Sequence, residues 1–170
     1  MNQLVSQPSS QSPAGVVGAG TMGAGIAQVA AVAGRRVLIA DAAPGAADRA
    51  VGQIRDRVKA AVAKGRLTVD PEDLDVTAAS VADFTGCDVV VEAIVEDLAV
   101  KRRLFADLER VVSPDCVLAS NSSSLSPTAM ARGWRIPGGW WACTSSTPFP
   151  RCAWSRSSRG WPPPPRSPTG

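Results

Sequence analysis

Short apolar runs and longer stretches of helical period alternate through residues 15–120 of this 170-residue chain. Gly15–Gly18 reads as a first strand, followed by an Ala/Val-rich helix from about Thr21 to Ala33, with Gly34 where a helix-ending glycine belongs. Arg36–Asp41 reads as a second strand, short, apolar and closed by an acid. In Ala46–Lys64, the apolar Ala50, Val51, Ile54, Val58, Ala61 and Val62 recur at helical spacing. Arg55, Arg57, Lys59, Lys64 and Arg66 stud its polar side. Asp70-Pro71-Glu72-Asp73 offers a cap, a proline at the first helical position and an acidic first turn. Val76–Ala79 reads as a short strand, and Cys87–Ile94 as a buried one. Leu98–Val112 carries Val100, Leu104, Leu108 and Val111 on one helical face, Cys116–Ser120 is the next strand, and Ser126-Pro127 opens a further helix. This alternation predicts an α/β fold, an open, doubly wound parallel sheet with helices on both faces.

Composition divides the chain. All five Trp and eight of the fourteen Pro follow Gly133, where Arg is the only charged residue type. Every Asp and Glu lies before that point, so the formal +3 is the sum of five Arg in the tail and a net −2 over residues 1–133, and the first region has no electrostatic case for nucleic acid. Three segments are therefore expected: a Gln/Ser/Pro-rich flexible leader over residues 1–14, a folded domain over 15–133, and an irregular Trp/Pro/Arg-rich tail over 134–170. Cys87, Cys116, Cys143 and Cys152 form no C-x-x-C pair, and the chain has no His, so no zinc site of ordinary type is expected. With no secretory or membrane-spanning run either, the expected setting is cytoplasmic, without membrane partners.

The candidate chemistry starts in the turn after the first strand, Gly18-Ala19-Gly20-Thr21-Met22-Gly23. Its G-x-G-x-x-G spacing assigns a separate task to each glycine. Gly18 permits the tight turn, Gly20 lets the backbone approach a pyrophosphate, and Gly23 lets the helix pack close to the strand. Asp41 follows at close to the roughly 20-residue interval at which a carboxylate holds an adenosine ribose. There it accepts from the 2′- and 3′-hydroxyls and repels a 2′-phosphate, favouring NAD over NADP. Alternatively, Asp41 caps a turn or helix. Ala93–Glu96 and Asn121–Ser124 also fall at strand carboxyl ends, where such sheets bind ligands.

Three ordered stretches then resemble the NAD-dependent 3-hydroxyacyl-CoA dehydrogenases, with the bacterial 3-hydroxybutyryl-CoA dehydrogenases as the nearest type. They are Gly18–Ala27, Val90–Asp97 with Lys101, and Ser120–Leu125. The resemblance implies a Rossmann-type domain with NAD as cofactor and an acyl-CoA substrate. It implies that Gly18, Ala19, Gly20, Thr21, Met22, Gly23, Asp41 and Ala93 line the cofactor, with Glu96 and Lys101 beside its nicotinamide-side ribose. Asn121 and Ser123 would meet the nicotinamide end and the substrate, with Ser123 on the oxygen at substrate C3. Lys64 matches a basic position near the CoA phosphates. At Ser122 the family usually has Thr. The ordinary alternatives are an exposed Glu96–Lys101 ion pair and an Asn/Ser loop of turn formers. A 3-hydroxyisobutyrate-type dehydrogenase shares the glycine turn but not Asn121–Leu125, and a non-catalytic NAD-binding fragment is a further alternative.

By the resemblance, catalysis uses a His general base in a G-L-H-F-F-N-P segment and a Glu in a following L-V-E-V-V strand, and a helical domain that forms the homodimer. The chain has no His and no acid after Asp115, and it ends before any helical domain, so it is expected to lack turnover and the dimerising part. Regrouping plausible GC-rich codons explains the departure. Trp140–Pro148, shifted so that each codon's third base joins the next two, yields V-V-G-L-H-F-F-N-P, and Arg151–Ser158 yields x-V-R-L-V-E-V-V. Since Trp has a single codon, a change of reading frame near Gly133 is expected. On that reading, the tail has no sustained strand or helix period, Pro162–Pro165 blocks regular pairing, and the sheet is left with an exposed edge. A polyproline-type ligand segment at Pro162–Arg166 is the alternative role for the tail.

Overall fold

A computed structural model describes residues 12–122 together with two later strands. In chain order the strands are β1 (Ala14–Val17), β2 (Val37–Ala40), β3 (Val76–Ala78), β4 (Val89–Glu92), β5 (Val117–Ser120), β6 (Trp140–Thr144) and β7 (Arg151–Ser155). The helices are α1 (Thr21–Val32), α2 (Ala46–Ala63) and α3 (Leu98–Leu108). Short 3-10 turns cover Pro71–Asp73 and Val81–Gly86. The sheet order is β3-β2-β1-β4-β5-β6-β7, parallel throughout except for antiparallel β7.

Alternation within the strands divides the core into two layers. Val16, Val37 and Ile39 face α1 and α2, where they meet Ala24, Ala27, Ala31, Ile54 and Val58. Val17, Leu38, Ala40, Val90 and Leu118 face the other way, onto Phe84, Phe105 and Leu108. The small side chains of α1 let it lie close to the sheet. Cys87 and Cys116 belong to the second layer, and burial pushes their thiols up to about 11 and about 12.

Several elements differ from the sequence reading. The sheet takes in Ala14 and leaves Gly18 in the turn. The end of the leader is tied down, because Pro13 C=O accepts from Asp88 N–H and Ser12 C=O accepts from the Arg35 guanidinium. That guanidinium also pairs with Asp88, joining the start of β2 to the start of β4. The buried face of α3 is Lys101, Phe105 and Leu108, whereas Val100 is about half exposed, so the expected apolar stripe is turned by one position. A charged side chain takes a core slot because an acid waits for it inside.

The tail differs most. Trp140–Thr144 pairs in parallel with β5, Ser120 opposite Ala142, and Arg151–Ser155 returns antiparallel to it. Two strands therefore stand where the sequence predicts no strand period, and β5 is not the edge of the sheet. Both segments are short runs rich in apolar and aromatic residues, and an unpaired β5 edge is a template for any such run. The predicted helix at Ser126-Pro127 and the Pro162–Pro165 run lie outside the described residues.

Candidate functional site: two arms around a glycine turn

The order β3-β2-β1-β4-β5 reverses direction between β1 and β4, and ligands of open α/β sheets bind at such a switch point. The glycine turn leaves β1 at that point. Asp41 leaves β2 on one side, and Ala93–Glu96 and Asn121 leave β4 and β5 on the other. At about 4.8 Å per strand, the row from β2 to β5 spans roughly 14 Å.

The three glycines sit in different surroundings. Gly18 has φ +106°, and a Cβ there would lie 2.4 Å from Ala93 O, so the turn needs glycine for both conformation and contact. A Cβ on Gly23 would stand 1.7 Å from Gly18 O, so this position sets how closely α1 approaches the turn. At Gly20 a Cβ would meet nothing within 4 Å. The space over Gly20 is open, and Gly20 is also the N-cap of α1, with no side-chain cap and no acid in the first turn. An uncapped helix start beside open space suits a phosphate, which accepts from the first N–H groups and meets the positive end of the helix dipole. The residues therefore fit a dinucleotide pyrophosphate.

On the β2 side, Asp41 is partly exposed and braced by backbone. Its Oδ2 accepts from Ala19 N–H at 2.7 Å and its Oδ1 from Ala43 N–H at 2.8 Å. The capping alternative is thus realised in part, and it ties Asp41 to the glycine turn without burying it. Beside Asp41 an open depression of about 300 Å³ is lined by Pro44, Gly45, Asp48, Ala79 and Ser80. Ser80 itself is fixed by Asp83, whose carboxyl is held below its usual range by hydrogen bonds from the Ser80 backbone and hydroxyl.

The β4/β5 side is built from side chains. Lys101 is fully buried, which excludes the exposed ion pair. Its Nζ lies 2.9 and 3.0 Å from the two oxygens of Glu92 and 3.0 Å from Glu96 Oε2. Glu92 is also fully buried and accepts from Ser120 Oγ at 2.6 Å and Ile94 N–H at 2.7 Å. Glu96 is one-third exposed and accepts from Ser122 Oγ. Asn121 N–H donates to Glu92 C=O at 2.8 Å, which locks the start of the Asn-Ser loop to the end of β4.

The sequence reading assigned Glu92 no role. The signal was present in the strand period: β4 and β5 both alternate half-buried and buried, so Glu92 shares the inward phase of Val90, and Ser120 that of Leu118. Their register sets Glu92 opposite Ser120. Lys64 is not brought to this row. It is the C-cap of the 18-residue α2, about 27 Å along that helix from the end next to Asp41. Ser123 lies outside the described residues. Among the described residues, no cluster of His, Cys, Asp and Glu is placed to hold a metal ion, and no helix is long and apolar enough to cross a membrane.

Fold and site together define a Rossmann-type dinucleotide-binding domain. Residues 13–140 match the sequence profile of the 3-hydroxyacyl-CoA dehydrogenase NAD-binding domain, and the chain belongs to that family, with NAD as the cofactor of the domain. It is 45% identical over 121 residues to a probable 3-hydroxybutyryl-CoA dehydrogenase of Deinococcus radiodurans, a match covering 69% of this chain and 43% of the relative. It is 40% identical over 120 residues to the 3-hydroxyadipyl-CoA dehydrogenase of Escherichia coli, covering 68% of this chain and 25% of the relative. Among solved structures, 3-hydroxybutyryl-CoA dehydrogenase from Escherichia coli superposes with a TM-score of 0.73 at 36% identity, over 78% of this chain and 29% of that one. The chain thus spans less than half the length of these relatives. Family membership decides against the 3-hydroxyisobutyrate-type alternative.

Proposed function

We propose that this chain binds NAD(H) across its glycine turn, in the site that in whole family members serves hydride exchange with C3 of a 3-hydroxyacyl-CoA. The observation that carries the reading is the row Asp41, Gly18–Gly23, Glu96 and Asn121 along one sheet edge, with the space over Gly20 open. The α1 N–H groups hold the pyrophosphate. Asp41 accepts from the adenosine ribose, and the depression beside it leaves room at that end of the cofactor. Glu96, steadied by Lys101, accepts from the second ribose. Asn121, pinned through its N–H, orients the nicotinamide end with Ser123, which also meets the substrate. When bound, the nicotinamide supplies the hydride acceptor or donor.

The sequence contains no His to take the hydroxyl proton, and loss of a general base costs ~10²–10⁴-fold. We therefore propose cofactor binding without appreciable turnover, from a coding sequence that changes frame near Gly133. A cytoplasmic setting goes with this reading. NADH titration followed by fluorescence tests it: NADH binds, and NADPH binds at least about tenfold more weakly because its 2′-phosphate meets the Asp41 carboxylate. Absence of NADH binding overturns the reading, as does brisk acetoacetyl-CoA-dependent NADH oxidation for the claim of lost turnover.

A further inference from the structure

Glu92 is the most enclosed acid of the site and has no path to a ligand. Both its oxygens are taken up inside the protein, by Lys101, Ser120 and the Ile94 N–H. Lys101 sits between this buried carboxylate and the partly exposed one of Glu96. A buried ammonium with a single acid beside it would draw that acid inward. With Glu92 present, Lys101 is already neutralised from the inside, and Glu96 can remain at the surface while still bonded to it. Ser122 steadies Glu96 from the adjacent strand end.

We propose that Glu92 is a positioning residue: acting through Lys101, it holds the Glu96 carboxylate outward, toward the nucleoside lying on the β4/β5 side of the glycine turn. The inference rests on the NAD reading above. Its effect is confined to one half of the ligand, because Asp41 stands on the other side of β1, and the Glu92 carboxylate is bonded to Lys101, Ser120 and Ile94 and to no residue of the glycine turn.

The test compares NADH with ADP on the full 170-residue chain. ADP reaches only the pyrophosphate cradle and the Asp41 side, whereas NADH reaches both. Glu92→Gln keeps the shape and removes the charge. It weakens NADH about tenfold, the loss of one charge-assisted bond, and leaves ADP within about twofold. In a Lys101→Met background, Glu92→Gln leaves the NADH-to-ADP affinity ratio where Lys101→Met alone put it. An equal loss for both ligands, an unchanged ratio, or an additive loss in that background overturns the inference. Should Glu92→Gln fail to fold, Ser120→Ala removes one bond from Glu92 without touching its charge and lowers the same ratio several-fold; an unchanged ratio there overturns it equally. A wild-type chain that binds ADP but not NADH sinks the NAD reading and the inference with it, before any variant is made.

Discussion

The two arms of the site are made of different materials. The β2 arm is backbone: a glycine turn, the first N–H groups of α1, and an acid braced by the Ala19 and Ala43 N–H groups. The β4/β5 arm is side chain: two acids, one buried lysine and two hydroxyls. Backbone donors are in place as soon as the strand–turn–helix forms, and one added methyl group disturbs them locally. A buried charge cluster depends on every member, since losing one leaves the others desolvated and unmatched. Ligand binding on the first arm should therefore be separable from stability, and on the second it should not.

The largest expected effect lies where the second arm continues into β6. If the frame shifts as proposed, the histidine codon would fall at the Cys143/Thr144 junction, the carboxyl end of a strand paired with β5. Restoring that frame from residue 134 onward is expected to raise acetoacetyl-CoA-dependent NADH oxidation by ~10²–10⁴-fold, the contribution of a general base. Codons in the underlying DNA that do not regroup in this way would end the frame hypothesis. Next comes Lys101→Met, which strands Glu92 in the core and should cost about 3–5 kcal/mol in denaturant unfolding. A loss under 1 kcal/mol would mean the cluster is not desolvated as the structure has it.

On the glycine arm, Gly23→Ala forces a Cβ onto Gly18 O. It should cost about 1–3 kcal/mol by overpacking, read from the same unfolding curves. Gly20→Ala meets no protein atom, so stability should stay within about 1 kcal/mol while NADH affinity falls. If Gly20→Ala and Lys101→Met lower stability alike, the contrast between the arms is broken. The smallest effect is at Asp83, whose depressed folded-state value means its contribution is present above its unfolded pKa and fades as pH falls through the folded one. Ser80→Ala should raise the Asp83 titration midpoint, measured by NMR, and shift acid unfolding slightly to higher pH.

The same contrast governs what could be read from sequence. Backbone devices leave spacings, and the positions of Gly18, Gly20, Gly23 and Asp41 were legible together with the α/β alternation. Side-chain clusters leave only residues in the correct phase. Lys101 and Glu96 were reached through resemblance, and Glu92 was overlooked because an acid closing an apolar strand looks like a boundary. The stripe of α3 was misplaced for the same reason, since period counting treats a lysine as solvent-facing. β6 and β7 were not expected because the Trp/Pro/Arg composition after Gly133 and the frame argument point to an unpatterned tail, while an open β5 edge can pair with any short apolar run.

The raised thiols of Cys87 and Cys116 turn the second core layer into its own clock. Alkylation needs the thiolate, and at neutral pH neither of these sulfurs supplies it while the sheet is closed. The modification rate at these two positions, followed by peptide mapping, therefore measures how often β4 and β5 part from the helix that covers them. Occupancy of the cofactor site should slow that clock, since the helix that must lift is held to the end of β4 by the Lys101–Glu92 bond beside that site.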